Sequence, residues 1–259
     1  MYSFSFQHYM DFTAKKLTHL FALVLLVGSL LLFIGYPLIS LFLPPQVPEI
    51  YTPSMTSSQK LILEMTLLFT QFLFVFVGFI LIPLLWYFFV NQISIKEMFA
   101  RLHLKRQGFK NTILWGIITI IIAYGFTITI GLLYFFFTKT NPSTLSNIPD
   151  LQQLFSIPSL YLLVGIQPFC EEFFFRGFLL EKITKSSTPL IAVIVTSVLF
   201  GISHLTYTYM YTAIIAIALG VLFSAVVLKT KNLYTTIFAH IIINIASLTL
   251  YLFGASFGM

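Results

Sequence analysis

Apolar residues run along this chain in long stretches separated by short polar segments. Crossing roughly 30 Å of hydrocarbon takes about 20 consecutive apolar residues. Seven stretches fit or come near: Leu17 to Leu43, Leu61 to Val90, Thr112 to Phe137, Ser159 to Leu180, Leu190 to Leu205, Met210 to Leu228 and Leu233 to Phe253. The predicted fold is therefore all-α, a polytopic membrane bundle of about seven transmembrane helices. Strands of a membrane barrel alternate apolar and polar over roughly 10 residues, and runs two or three times as long exclude that architecture. Pro44, Pro45, Pro48 and Pro53 interrupt the chain after the first stretch, since proline cannot continue a helix interior. A second polar connector runs from Lys139 to Ser156. The first stretch exceeds the roughly 7 to 15 residues of a signal-peptide core and is expected to be a retained span.

Composition agrees with this pattern. Of 259 residues, 58% are hydrophobic and 8% charged, against about 25% charged in a soluble domain. An ordinary soluble enzyme is excluded. The 17% aromatic content is the opposite of a disordered chain. The net charge of +6 matters through its distribution, because Lys and Arg gather in the short cytoplasmic loops of membrane proteins. With the N-terminus inside, eleven of the fourteen basic residues fall in cytoplasmic segments, Lys60 and Lys139 fall outside, and Arg176 is left within a span. That alternation predicts seven spans with the N-terminus cytoplasmic and the C-terminus outside, and the expected location is a bacterial plasma membrane. The basic segment Asn91 to Lys110 is read as a topology-setting loop rather than an interfacial helix on anionic lipid. The single cysteine, Cys170, permits no intrachain disulfide.

Charges near the bilayer centre cost roughly 2.5 to 3.5 kcal/mol each and mark function by default. The fourth stretch carries three of them, in Gln167-Pro168-Phe169-Cys170-Glu171-Glu172-Phe173-Phe174-Phe175-Arg176. Residues four apart share a helix face, whereas neighbours diverge by about 100°. Glu172 therefore reaches Arg176, while Glu171 points elsewhere with no local cation. Geometry alone divides the labour: Glu172 is structural, and Glu171 is available as a general acid or base. Pro168 leaves the carbonyl of Val164 without its helical donor and is expected to kink the helix. Cys170 is read as packing, since a thiol in apolar surroundings is inert.

Two further stretches each carry a deep histidine. Phe200 and His204 lie four apart, as do His240 and Asn244. His8, His19 and His103 are read as solvated. Glu, two His and Asn supply a base for water and donors for an oxyanion, the parts needed for amide hydrolysis. No serine nucleophile is convincing, because Ser203 and His204 are helix neighbours that should not face each other. Glu with two His is also a catalytic zinc donor set, although the tight His-x-x-x-His spacing is missing.

The ordered motifs Glu171-Glu172-x-x-x-Arg176, Phe200-x-x-x-His204 and His240-x-x-x-Asn244 resemble the CPBP family of intramembrane proteases. This is also called the Abi or CAAX-protease family and includes the Rce1-type CAAX prenyl endopeptidases. The resemblance covers roughly Trp115 to Phe253. It implies a membrane peptidase with its active site in a cavity between helices. Residues 1–110 would then be an N-terminal membrane region with two spans and a basic cytoplasmic loop, and residues 111–259 the protease core. By motif position Glu171 and His204 would activate water, His240 and Asn244 would stabilise the oxyanion, and Glu172, Arg176 and Phe200 would support them. The resemblance leaves the metal open. No cofactor is certain, and zinc is the candidate metal, with Glu171, His204 and His240 as its donors if it is bound. The implied partners are membrane lipids and a hydrophobic or lipidated peptide, including a prenylated CAAX-type chain, and no nucleic acid.

Rival readings are a proton-coupled transporter, since intramembrane carboxylates and histidines also build proton relays, and a catalytically silent scaffold or immunity factor. The repeated halves of many transporters are not found, and retention of every motif residue argues against silence. Phe173, Phe174, Phe175 and Phe178 are read as lipid-facing packing in preference to a substrate pocket. At about 1.5 Å per residue, His204 falls near the outer end of its span and His240 toward the inner part of its own. A shared site therefore requires broken, tilted or shifted helices.

Overall fold

The computed structural model describes residues 12–42, 55–104, 108–141, 148–205 and 210–256. His8 and the four prolines of the first connector lie outside the described residues. The chain is helical throughout these segments: α1 (Leu17–Ser40), α2 (Ser57–Asn91), α3 (Ile95–Arg101), α4 (Phe109–Thr138), α5 (Ile148–Leu154), α6 (Ile157–Ser186), α7 (Pro189–Ile202), α8 (Met210–Thr230) and α9 (Leu233–Ser256). Five of them, α1, α2, α4, α8 and α9, are long and apolar enough to cross a membrane. Helix α5 joins α6 through a bend of 118° to make a sixth candidate. The chain is an integral membrane protein.

Each predicted span falls on one helix, but the fifth is not a full crossing. Helix α7 has 14 residues, about 21 Å at 1.5 Å per residue, against roughly 30 Å of hydrocarbon. Thr188 starts it by accepting from the Ile191 N–H at 3.3 Å, with Pro189 in the first turn, where proline's missing donor costs nothing. Because α7 stops at Ile202, His204 lies on a turn beside the helix end, and this relieves the mismatch in depth between the two histidines.

Proline sets the local geometry of α1 and α2. Pro37 and Pro83 each follow a π-helical turn, Leu31–Gly35 and Val77–Leu81. Each lacks the N–H that would bond the carbonyl four residues back, and that carbonyl lies inside the widened turn. Helix α2 opens with a capping box, in which Gln59 N–H donates to Thr56 Oγ1 at 3.3 Å and Thr56 N–H to Gln59 Oε1 at 2.8 Å.

Polar bonds tie the bundle at both ends. At one, Lys182 Nζ donates to Asn91 Oδ1 at 2.6 Å and Leu233 N–H to the His103 carbonyl at 3.0 Å. At the other, Ser156 donates to Glu64 through its backbone N–H at 2.8 Å and its hydroxyl at 2.6 Å, and Tyr161 Oη lies 2.8 Å from Thr249 Oγ1. Between them, small residues let helices approach. A Cβ on Gly220 of α8 would lie 2.9 Å from Ser197 Cα of α7, and one on Gly201 would lie 2.9 Å from the Ala213 carbonyl.

Two expectations are corrected. His19 is buried, 1% exposed, and its Nδ1 accepts from the Thr13 N–H at 3.0 Å, while His103 is half-buried rather than solvated. Phe173, Phe174, Phe175 and Phe178 are buried in the protein core with Phe79, Leu102 and Phe200 and do not face lipid. They are inside because the π-helical stretch Phe173–Leu179 is surrounded by α2, α7 and α8. The basic segment Asn91 to Lys110 contains α3, which buries Met98 and, just beyond its end, Leu102.

The close α7–α8 approach is testable. Gly220→Val should lower unfolding stability in detergent by about 1–3 kcal/mol through overpacking. Gly125→Ala, where a Cβ meets nothing within 4 Å, should be neutral or stabilise by up to about 1 kcal/mol. Denaturant titration of both variants reads the difference.

Candidate active site

Helix α6 carries its charges at mid-length, just where its geometry changes. The α-helical part ends at Glu172 and the π-helical stretch begins at Phe173. Glu172 and Arg176 meet as their spacing predicts, with Arg176 Nη1 donating to Glu172 Oε1 at 2.6 Å. Both are fully enclosed, 0% and 1% exposed, so the pair replaces water as each partner's counter-charge. The remaining face of the guanidinium is aromatic: its Cζ lies 4.0 Å from the Phe200 ring centroid and 5.3 Å from that of Phe223, at cation–π range. Arg176 Nε and Nη2 and Glu172 Oε2 have no hydrogen-bond partner among the described residues.

The same Glu172 oxygen fixes His240 of α9, whose Nδ1 lies 3.0 Å from Oε1. An ionised carboxylate only accepts, so Nδ1 carries the proton. That orients Nε2 toward Glu171, 3.7 Å from its Oε2. His204 is fixed similarly. Its Nδ1 lies 2.8 Å from the Phe200 carbonyl, which also only accepts, and the imidazole is left with Nε2 as its basic nitrogen. Ser203 Oγ lies 3.2 Å from the same Nδ1, against expectation. The helical-neighbour argument fails there because both residues sit beyond the end of α7. Phe200 joins these parts, with ring centroids 4.5 Å from His204 and 5.9 Å from His240.

Glu171, His204 and Asn244 line one cavity of about 700 Å³, within the usual range for small-ligand sites. His240 stands behind Glu171, buried, and Asn244 follows it on the same face of α9. The cavity wall is largely apolar, with Leu67 and Phe74 from α2, Leu151 from α5 and Leu160 from α6. Among the described residues no group of three His, Cys, Asp or Glu side chains is arranged to hold a metal ion. Glu171, His204 and His240 therefore do not form a ready three-donor zinc site in this arrangement.

Two residues join the site that the motifs did not single out for a role. Gln167 Nε2 donates to Glu171 Oε1 at 2.7 Å, and Gln71 Nε2 of α2 lies 3.4 Å from Gln167 Oε1. The signal was present in both. Gln167 precedes Glu171 by one helical turn, and Gln71 is a polar residue inside an apolar span.

Residues 153–246 match the family model described as Rce1-like, Type II CAAX prenyl endopeptidase Rce1-like. The chain carries an Rce1-like region. No curated protein and no solved structure matches the chain. The Rce1-like region contains all seven motif residues, and it is narrower than the expected Trp115 to Phe253. Helix α2, which supplies Gln71 and part of the cavity wall, lies outside it.

The enclosed ion pair sets a stability prediction. Arg176→Met should cost about 3–5 kcal/mol, because it strands the Glu172 carboxylate without its counter-charge. Unfolding of the purified protein in detergent reads the loss, and an unchanged midpoint would show the pair to be dispensable.

Proposed function

We propose that the protein is an intramembrane endopeptidase that hydrolyses a peptide bond of a membrane-associated or hydrophobic substrate with water activated by Glu171 and His204. The observation that carries this reading is that Glu171, His204 and Asn244, from three different segments of the Rce1-like region, line one cavity. The family's type II CAAX prenyl endopeptidases supply the reaction class, and a prenylated CAAX-type chain is one candidate substrate.

The chemistry follows from the positions of the groups. Glu171, steadied by Gln167 at 2.7 Å, takes a proton from water in the cavity as the water oxygen adds to the scissile carbonyl carbon. His204, with its Nε2 unprotonated, is a second base for the same water. The carbonyl oxygen gains the charge and is met by the Asn244 amide at the cavity wall; His240 is assigned to the same oxyanion, which it meets from behind Glu171 once its protonated Nε2, 3.7 Å from that carboxylate, turns toward the cavity. Collapse breaks the C–N bond, and the proton taken from water passes to the departing amine. Glu172 and Arg176 remain outside the reaction and hold His240 in place.

The distribution of basic residues supports an orientation with the N-terminus cytoplasmic and the C-terminus outside, and a bacterial plasma membrane is the proposed location.

Purified protein should cleave members of a panel of fluorogenic apolar peptides, prenylated and plain. Glu171→Ala should lower the rate by about 10²–10⁴-fold, the span of general acid–base catalysis. Asn244→Ala should lower it by about 10²–10³-fold through a lost oxyanion donor. Activity that persists with chelator supports the Glu/His route. Loss with chelator and recovery with zinc would overturn the metal-free form of it.

A further inference from the structure

The cavity has a side. Every helix that lines it does so with the half remote from the basic loops. Helix α2 contributes Leu67, Thr70 and Gln71, which precede its midpoint, and Phe74 at the midpoint, and basic residues follow its far end. Helix α6 contributes Leu160 through Glu171, whereas Lys182 and Lys185 lie on its last turns. Helix α9 contributes Asn244 at its midpoint and Ser247 and Leu248 beyond it, whereas Lys231 precedes its start. Helix α7 contributes through His204 past its C-terminus, and α5, in the connector after α4, forms part of the wall. The bonds of Ser156 to Glu64 and Tyr161 to Thr249 mark the same end.

The opposite route is filled. Between the cavity and the basic end stand the Glu172–Arg176 pair and the enclosed rings of Phe175, Phe178, Phe200 and Phe223, each 0–1% exposed. A separate crevice at the basic end, lined by Arg101, Leu180, Lys185 and Lys231, reaches Arg176 from that side and shares no lining residue with the cavity among those described, so the ion pair stands between the two. Since Lys and Arg mark the cytoplasmic side of short loops, the orientation proposed above puts the cavity's end of the bundle on the other side.

We infer that the cavity opens to the extracytoplasmic face, so that its substrate is an apolar peptide segment presented from outside the cytoplasm. The apolar wall fits such a segment, and the amide groups of Gln71, Gln167 and Asn244 at its floor supply donors and acceptors for a peptide backbone. The substrate half of this inference rests on the peptidase reading; the sidedness rests only on the orientation proposed from the basic loops.

The test uses full-length protein in a Cys170→Ala background, which removes the only native thiol. Ser247→Cys reports the exposed cavity wall, and Lys185→Cys the basic end. With a membrane-impermeant maleimide on intact spheroplasts, Ser247→Cys should label directly and Lys185→Cys only after permeabilisation. The reverse pattern overturns the inference whether or not the protein cuts peptides. In right-side-out vesicles, a water-soluble fluorogenic peptide with an apolar core should be cleaved when added outside. Cleavage that appears only after detergent lysis also overturns the inference. External labelling of Ser247→Cys with no cleavage under any condition would overturn the peptidase reading while leaving the sidedness in place.

Discussion

The arrangement depends on one enclosed ion pair. Glu172 and Arg176 neutralise each other inside the bundle at 2.6 Å, and this lets three charges occupy the middle of a helix that must remain in an apolar medium. The pair also has a positional consequence. The oxygen that receives Arg176 lies 3.0 Å from His240 Nδ1, so an interaction within α6 fixes a side chain on α9. The guanidinium packs on Phe200 and Phe223, which extends the same constraint to α7 and α8. Four helices are thereby held in register around Glu171, whose carboxylate the pair leaves unneutralised.

Adjacent carboxylates receive opposite roles from this constraint. Glu172 is enclosed with its counter-charge, whereas Glu171, one residue earlier, faces a cavity and takes its hydrogen bond from a neutral amide. The histidines divide similarly. His240 is buried against two carboxylates, and His204 is tied to a backbone carbonyl at the cavity wall. Both obtain a defined tautomer from partners that can only accept. Close helix packing supports this precision, since small residues at Gly201 and Gly220 set the spacing of α7 against α8.

The features legible in the sequence are those governed by a fixed repeat or a fixed cost. Long apolar runs located the spans, and the four-residue helical period paired Glu172 with Arg176 and His240 with Asn244. What it could not show depends on how helices meet. The end of α7 at Ile202 removed Ser203 and His204 from helical geometry and brought them together. The run Phe173 to Phe178 reads the same whether it faces lipid or protein, and only the placement of α2 and α8 around it decides for protein. His19 has the same ambiguity at the start of α1. Gln71 was the most available omission: the rule that singled out the charged residues of α6, extended to uncharged polar groups within spans, selects it.

The central claim is that neighbouring carboxylates do different work, one chemical and one structural. It is tested most directly by making Glu171→Gln and Glu172→Gln separately and measuring both peptide cleavage and unfolding in detergent for each. The account predicts that Glu171→Gln loses cleavage with its unfolding midpoint unchanged, whereas Glu172→Gln unfolds more readily. Retained cleavage in Glu171→Gln, or a large loss of stability there with none in Glu172→Gln, would contradict it.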